Sequence, residues 1–122
     1  MSDKRAVLVV EDNDFVRMQI KQFLESGDYP TFEAATVAEG IELIQQNKNI
    51  GCTSVDVRME PEDGFDFLNQ INALELKIPS ILVTGDNNYD ILAKGSSLGV
   101  VSVLMKPIDR DRLLKMVGRA IS

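Results

Sequence analysis

With 122 residues, the chain has room for one domain with a real core and not for two ordinary ones. Its 13 Lys+Arg against 19 Asp+Glu leave a net charge of −6, which disfavours a nucleic-acid-binding face. The absence of histidine excludes Ser-His-Asp and Cys-His catalysis, His-ligated metals and a phosphohistidine within the chain, and the lone Cys52 excludes an internal disulfide.

The first element is Ala6-Val7-Leu8-Val9-Val10, an unbroken apolar run that predicts a strand covered on both faces. Val16, Ile20, Phe23 and Leu24 recur at helical spacing, with Asp14 the expected cap and Gly27 the expected stop. A short strand over 31–35 follows Pro30. Thr36 with Glu39 reads as a capping box, opening a helix with Val37, Ile41 and Ile44 on one face. The third strand is predicted over 53–57. A loop with Pro61 and Gly64 then leads to a helix with Phe67, Leu68, Ile71 and Leu74 inward. Pro79 precedes a fourth strand over Ser80–Thr84. The helix at 89–98 has the weakest pattern, carrying Ile91, Leu92 and Leu98 but interrupted by Gly95, and Gly99 is its expected terminator. A fifth strand over 101–105 follows, and Asp109 caps a last helix with Leu113, Leu114, Val117 and Ile121 inward. The Phe and Met residues are expected in the core, and Cys52 is expected to be buried and inert.

Five strands alternating with five helices imply an α/β fold, a single (βα)5 doubly wound domain with a parallel sheet. In such sheets, sites form beyond the carboxyl ends of the strands. Those ends carry Glu11-Asp12, Asp56, Thr84-Gly85 and Lys106-Pro107. Three carboxylates on one rim repel each other and call for a cation. An all-oxygen donor set without imidazole or thiolate suits Mg²⁺, with Asp12 and Asp56 as direct ligands. The cation on one side and Lys106 on the other leave space for a phosphoryl group, which Thr84 can hydrogen-bond. With no Ser-His or Cys-His pair, the fitting nucleophile is a carboxylate.

This ordered set resembles the receiver domains of two-component response regulators (CheY-like), over nearly the whole chain. The residues that carry the resemblance are Glu11-Asp12, Asp56, Asp63-Gly64, Thr84-Gly85 and Lys106-Pro107. It implies the strand order 2-1-3-4-5 of the flavodoxin-like fold. It also implies that Asp56 accepts a phosphoryl group from a phosphohistidine on a sensor histidine kinase or a histidine phosphotransfer protein. Asp12 then ligates Mg²⁺ directly, Glu11 does so through water, and the Arg58 carbonyl completes the protein ligands. Lys106 pairs with the phosphoryl oxygens, and Lys106-Pro107 is expected to be a cis peptide that aims the lysine. Thr84 reports the phosphoryl group to the face formed by the helix at 89–98, the fifth strand and the last helix. That face is the expected output surface for an output domain or effector protein, and a candidate homodimer surface.

Three departures from the family pattern stand out. Val103 stands where receivers often carry Tyr or Phe. Pro61 lies one place later than the common loop proline, with Glu60 in its place. Arg58 and Asp86, two residues after Asp56 and Thr84, carry opposite charges, which predicts an ion pair across the site mouth that hinders attacking water.

The same residues admit two other readings. A Mg²⁺-dependent phosphatase with an aspartate nucleophile needs an acid two residues after it, where Arg58 stands, and a cap domain. A receiver-like scaffold that signals without phosphate is disfavoured by the complete acceptor set. No apolar run approaches a membrane span and the N-terminus lacks a secretory pattern, so the expected location is the cytoplasm, with no membrane partner and no direct nucleic-acid contact. Whether residues 1–122 stand alone or precede an output domain stays open, as do the pathway and the phosphoryl lifetime.

Overall fold

The structure is a computed structural model that describes residues 5–86 and 89–121. Five strands, β1 (Ala6–Val10), β2 (Thr31–Ala34), β3 (Ile50–Asp56), β4 (Ser80–Thr84) and β5 (Ser102–Met105), form one parallel sheet in the order β2-β1-β3-β4-β5. Between them run α1 (Asp14–Ser26), α2 (Val37–Gln46), α3 (Gly64–Ala73), α4 (Tyr89–Ser97) and α5 (Arg110–Ile121). The doubly wound (βα)5 fold and its 2-1-3-4-5 order are those expected from the sequence.

The alternation of side chains along a strand sends β1 to two cores at once. Ala6, Leu8 and Val10 join the cluster under α2, α3 and α4, with Phe67, Leu68 and Ile71. Val7 and Val9 join the cluster under α1 and α5, with Ile20, Leu24, Leu113 and Val117. The three central strands β1, β3 and β4 are buried throughout, whereas the edge strands β2 and β5 are partly exposed.

Several local expectations need correction. The N-cap of α1 is Asn13, whose Oδ1 accepts from the Val16 N–H at 3.0 Å. Asp14 is instead the first helical residue and pairs with Arg17 at 2.5 Å. Thr36 caps α2 as expected, but Glu39 reaches the Ala35 N–H at 2.7 Å, one residue short of closing the box. The reciprocal box lies at α3, where Asp63 and Asp66 exchange bonds of 2.9 Å. β3 begins at Ile50, three residues early, because Gly51 interrupts the apolar run without breaking the strand. Gly27 does end α1, yet the residue with positive φ is Asp28, at 67°.

Not every large apolar residue is in the core. Phe15 is 70% exposed and Met18 48%, and Met105 and Leu74 are also exposed. Successive helical residues are about 100° apart. With Val16, Ile20 and Leu24 turned inward, Phe15 and Met18 fall on the outer side of α1. Leu74 lies past the last turn of α3 as its C-cap.

Replacing Asn13 by alanine removes the cap of the helix that follows Glu11-Asp12. The expected loss is about 1 kcal/mol for Asn13→Ala and under about 0.5 kcal/mol for Asp14→Ala, read from urea midpoints at unchanged m-value. Equal losses would return the cap to Asp14.

Candidate functional site

Strand register brings the site together. Val10 aligns with Val55, so Glu11 follows β1 at the level of Asp56. Asp56 aligns with Val83, and Thr84 with Met105, so Thr84 and Lys106 each lie one step further on. Four consecutive strand ends in the order β1-β3-β4-β5 thus deliver Glu11-Asp12, Asp56, Thr84 and Lys106 to one rim.

Lys106 Nζ lies 3.1 Å from Glu11 Oε1 and 3.2 Å from Asp56 Oδ1. Glu11, Asp12 and Asp56 each offer a carboxylate oxygen within 4.8 Å of the others. Glu11 is 1% exposed and Asp56 6%, while Asp12 is open to solvent. Glu11 Oε2 accepts from the Asn13 N–H at 3.2 Å. Oε1 has the lysine charge nearby but no aligned hydrogen-bond donor. Burial, and then the neighbouring Asp56 carboxylate, push the Glu11 pKa up to about 7, against a smaller opposing pull from the Asn13 N–H and Lys106. For Lys106, burial favours the neutral amine, but Asp56 and Glu11 outweigh it and the net shift is upward. The ammonium therefore stays charged. All-oxygen donors, one of them a buried acceptor lacking a hydrogen bond, fit a hard divalent cation.

The backbone around Asp56 is tightly built. The Gly64 N–H donates to the Val57 carbonyl at 2.9 Å, drawing the start of α3 against the end of β3. A Cβ on Gly64 would stand 2.4 Å from the Asp56 carbonyl oxygen, so only glycine fits there. The Lys106–Pro107 peptide is cis, and so is Glu60–Pro61 in the β3–α3 loop. The Lys106 N–H donates to the Thr84 carbonyl at 2.8 Å. Thr84 is buried, and its Oγ1 bonds to the backbone of Asp86.

The Arg58 side chain reaches across to Asp86, Nη2 to Oδ2 at 2.5 Å. Arg58 is largely exposed and Asp86 about one-third exposed. An open cleft of about 560 Å³ runs from Asp12 past Arg58, Met59 and Glu60 to Phe65 and Lys94. Val103 is half-buried against the α3/α4 core. Cys52 is buried, which raises its thiol pKa to about 12 and leaves it inert at neutral pH.

Two supporting residues escaped the sequence reading. Arg17 Nη1 donates to the Glu11 carbonyl at 2.8 Å, and Asn13 both caps α1 and holds the Glu11 carboxylate. The only signal for Arg17 was its place one turn into the helix after an acidic pair.

Residues 7–118 match the family model described as the response regulator receiver domain. The chain therefore belongs to that family, whose members are signalling domains and not classical enzymes. It is 29% identical over 118 residues to the transcriptional regulatory protein HptR of Staphylococcus aureus (strain N315), covering 94% of this chain and 46% of that protein. It is 26% identical over 121 residues to the transcriptional regulatory protein FixJ of Bradyrhizobium diazoefficiens, covering 99% of this chain and 58% of that one. The chain thus spans about half the length of these curated relatives. A response regulator receiver protein from Pseudomonas putida superposes with a TM-score of 0.91 at 32% identity, over 98% of this chain and 99% of that one. Chemotaxis protein CheY4 of Vibrio cholerae shares the fold, with a TM-score of 0.89 at 24% identity, over 95% and 98% of the two chains. Among the described residues no helix is long and apolar enough to cross a membrane.

The raised Glu11 pKa has an inverted pH signature. Unfolded, the carboxyl titrates near 4.5; folded, near 7. Between those values the folded state holds more protons, so this group's contribution to stability falls as pH rises. In chelator-treated protein, the stability of the native chain relative to Glu11→Gln should decline from about pH 4.5 to about pH 7, measured by urea titration at each pH. A difference that is flat across this window would remove the buried-acid explanation.

Proposed function

We propose that residues 1–122 act as one cytoplasmic receiver domain in which Asp56 is the phosphoacceptor. The observation that carries this reading is the meeting of Asp56, Glu11 and Asp12 at one rim, with the Lys106 ammonium against Glu11 and Asp56. The donor is a phosphohistidine on a sensor histidine kinase or a histidine phosphotransfer protein. An Asp56 carboxylate oxygen attacks phosphorus, an O–P bond forms, and the N–P bond breaks to release imidazole. Hydrolysis reverses the acceptor's role: water adds to phosphorus, and Asp56 leaves as carboxylate with inorganic phosphate.

Asp12, Asp56 and the Arg58 carbonyl are the residues to hold Mg²⁺, with Glu11 contributing through water. When bound, the ion offsets the clustered negative charge of the carboxylates and the phosphoryl oxygens. Lys106, held charged by its two acidic neighbours, neutralises charge on the transferring group. Thr84 donates a hydrogen bond to a phosphoryl oxygen. The Arg58–Asp86 pair lies over the mouth and restricts the approach of water to phosphorus. It also leaves position 58 without an acid to protonate a leaving group, which separates this site from an aspartate-based phosphatase.

The output surface in this reading is the α4-β5-α5 face, which contacts an output domain, an effector or a second copy. α4 buries only Gly95 and leaves Tyr89 and Leu92 exposed, so it is the least anchored helix of the fold. Incubation with Mg²⁺ and acetyl phosphate should add one phosphoryl mass to the native chain, and none to Asp56→Asn or in the presence of chelator. Arg58→Ala should shorten the phosphoryl half-life several-fold; an unchanged half-life would remove the covering role. Beryllofluoride with Mg²⁺ should move amide resonances across residues 85–110, and silence there would contradict the assigned output face.

A further inference from the structure

The Thr84 hydroxyl is committed to a single residue. Its Oγ1 accepts from the Asp86 N–H at 3.0 Å and donates to the Asp86 carbonyl at 3.2 Å. The Asp86 carboxylate is held in turn by Arg58, two residues beyond Asp56. A chain of contacts therefore leaves the acceptor strand through Arg58, crosses to Asp86, and returns to the site at Thr84.

A hydroxyl carries one proton. Donation to the Asp86 carbonyl and donation to a phosphoryl oxygen on Asp56 exclude each other. The segment from Thr84 to Asp86 thus has two hydrogen-bonded arrangements, and the ion pair to Arg58 favours the one in which the hydroxyl is satisfied by its own loop.

Val103 offers no alternative relay. It is opposite Leu82 in the sheet, packs in the α3/α4 core and carries no polar atom to follow the hydroxyl. Its branched side chain is also restricted about χ1. The loop itself leads to α4, which begins three residues after Asp86. That helix is seated by the close approach of Gly95 to Leu82 and Val100. It is held to α3 by Lys94 over the Phe65 ring at 4.6 Å and by Asn72 donating to the Leu98 carbonyl at 3.3 Å. Apart from Gly95 none of its residues is fully buried, so it can follow the loop.

We propose that Asp86 is a positioning residue: paired with Arg58, it keeps the Thr84 hydroxyl on its own loop, and the pair releases when Thr84 turns to a phosphoryl group. The ion pair is then a latch on the conformational switch: it covers the mouth while Thr84 stays on its loop and uncovers it when Thr84 turns. This rests on the receiver reading above.

The test is a set of ¹H–¹⁵N spectra of the native chain, Asp86→Asn, and the charge-exchanged double variant Arg58→Asp with Asp86→Arg, each with and without Mg²⁺ and beryllofluoride. Without beryllofluoride, Asp86→Asn should move amides of α4 and β5 along the line joining the native free and loaded positions. The expected displacement corresponds to an about two- to five-fold larger active population, the range an exposed ion pair can supply. The charge-exchanged variant should return those amides toward the native free positions, which mere loss of a surface contact does not explain. Shifts in Asp86→Asn confined to its immediate neighbours, even with a changed phosphoryl half-life, would overturn the latch. Acetyl phosphate labelling of the native chain separates the two claims. An unlabelled native chain defeats the receiver reading, while a labelled one with native-like α4 and β5 shifts in Asp86→Asn defeats the latch alone.

Discussion

Crowding of negative charge at the end of the sheet is the constraint on which the rest depends. Three carboxylates and one ammonium, all ionised, leave two negative charges in a partly buried space. At an effective dielectric constant of about 20, two like charges about 4 Å apart repel by about 4 kcal/mol. Lys106 relieves part of that. The remainder is relieved either by a proton on Glu11, whose affinity for it is raised to about 7, or by a divalent cation. Proton and cation are thus alternative answers to one deficit of positive charge.

The fold keeps these groups together at little local cost. Glu11 directly follows the buried strand β1, Asp56 is the last residue of the buried strand β3, and Lys106 directly follows the edge strand β5, so strand position sets the height of each group on the rim. The helices do the remaining positioning. Arg17 on α1 ties down the Glu11 carbonyl, and the start of α3 presses on the Asp56 backbone. The exposed Phe15 stands beside Pro107 and Ile108 on the α1 flank, whereas the opposite flank is bounded by Arg58, Asp86 and the acidic β3–α3 loop.

Much of this was legible in the sequence for a simple reason. A charged residue at the end of a doubly buried strand is expensive unless it has work to do, so Asp56 stands out against Val55, whereas Lys106, after the partly exposed edge strand β5, stands out only through its partners. What escaped was information that periodicity does not contain. Phe15 and Met18 are as apolar as their inward neighbours, and only the phase of α1 sends them outward. Asn13 and Asp14 are adjacent and both able to cap, so one residue of register decided between them. The box at α3 was hidden because Asp66 takes the place usually held by Glu or Gln. Thr84's attachment to the Asp86 backbone was hidden because a threonine hydroxyl can equally bond its own loop or a ligand.

The glycine behind the acceptor has a mechanical consequence. Because the first turn of α3 rests directly on the Asp56 carbonyl, the acceptor strand has no room to recoil in that direction. Under the proposed phosphorylation of Asp56, displacement is therefore directed away from α3, toward β4 and β5. One missing methyl thus makes the rim asymmetric, with the first turn of α3 a fixed wall on one flank.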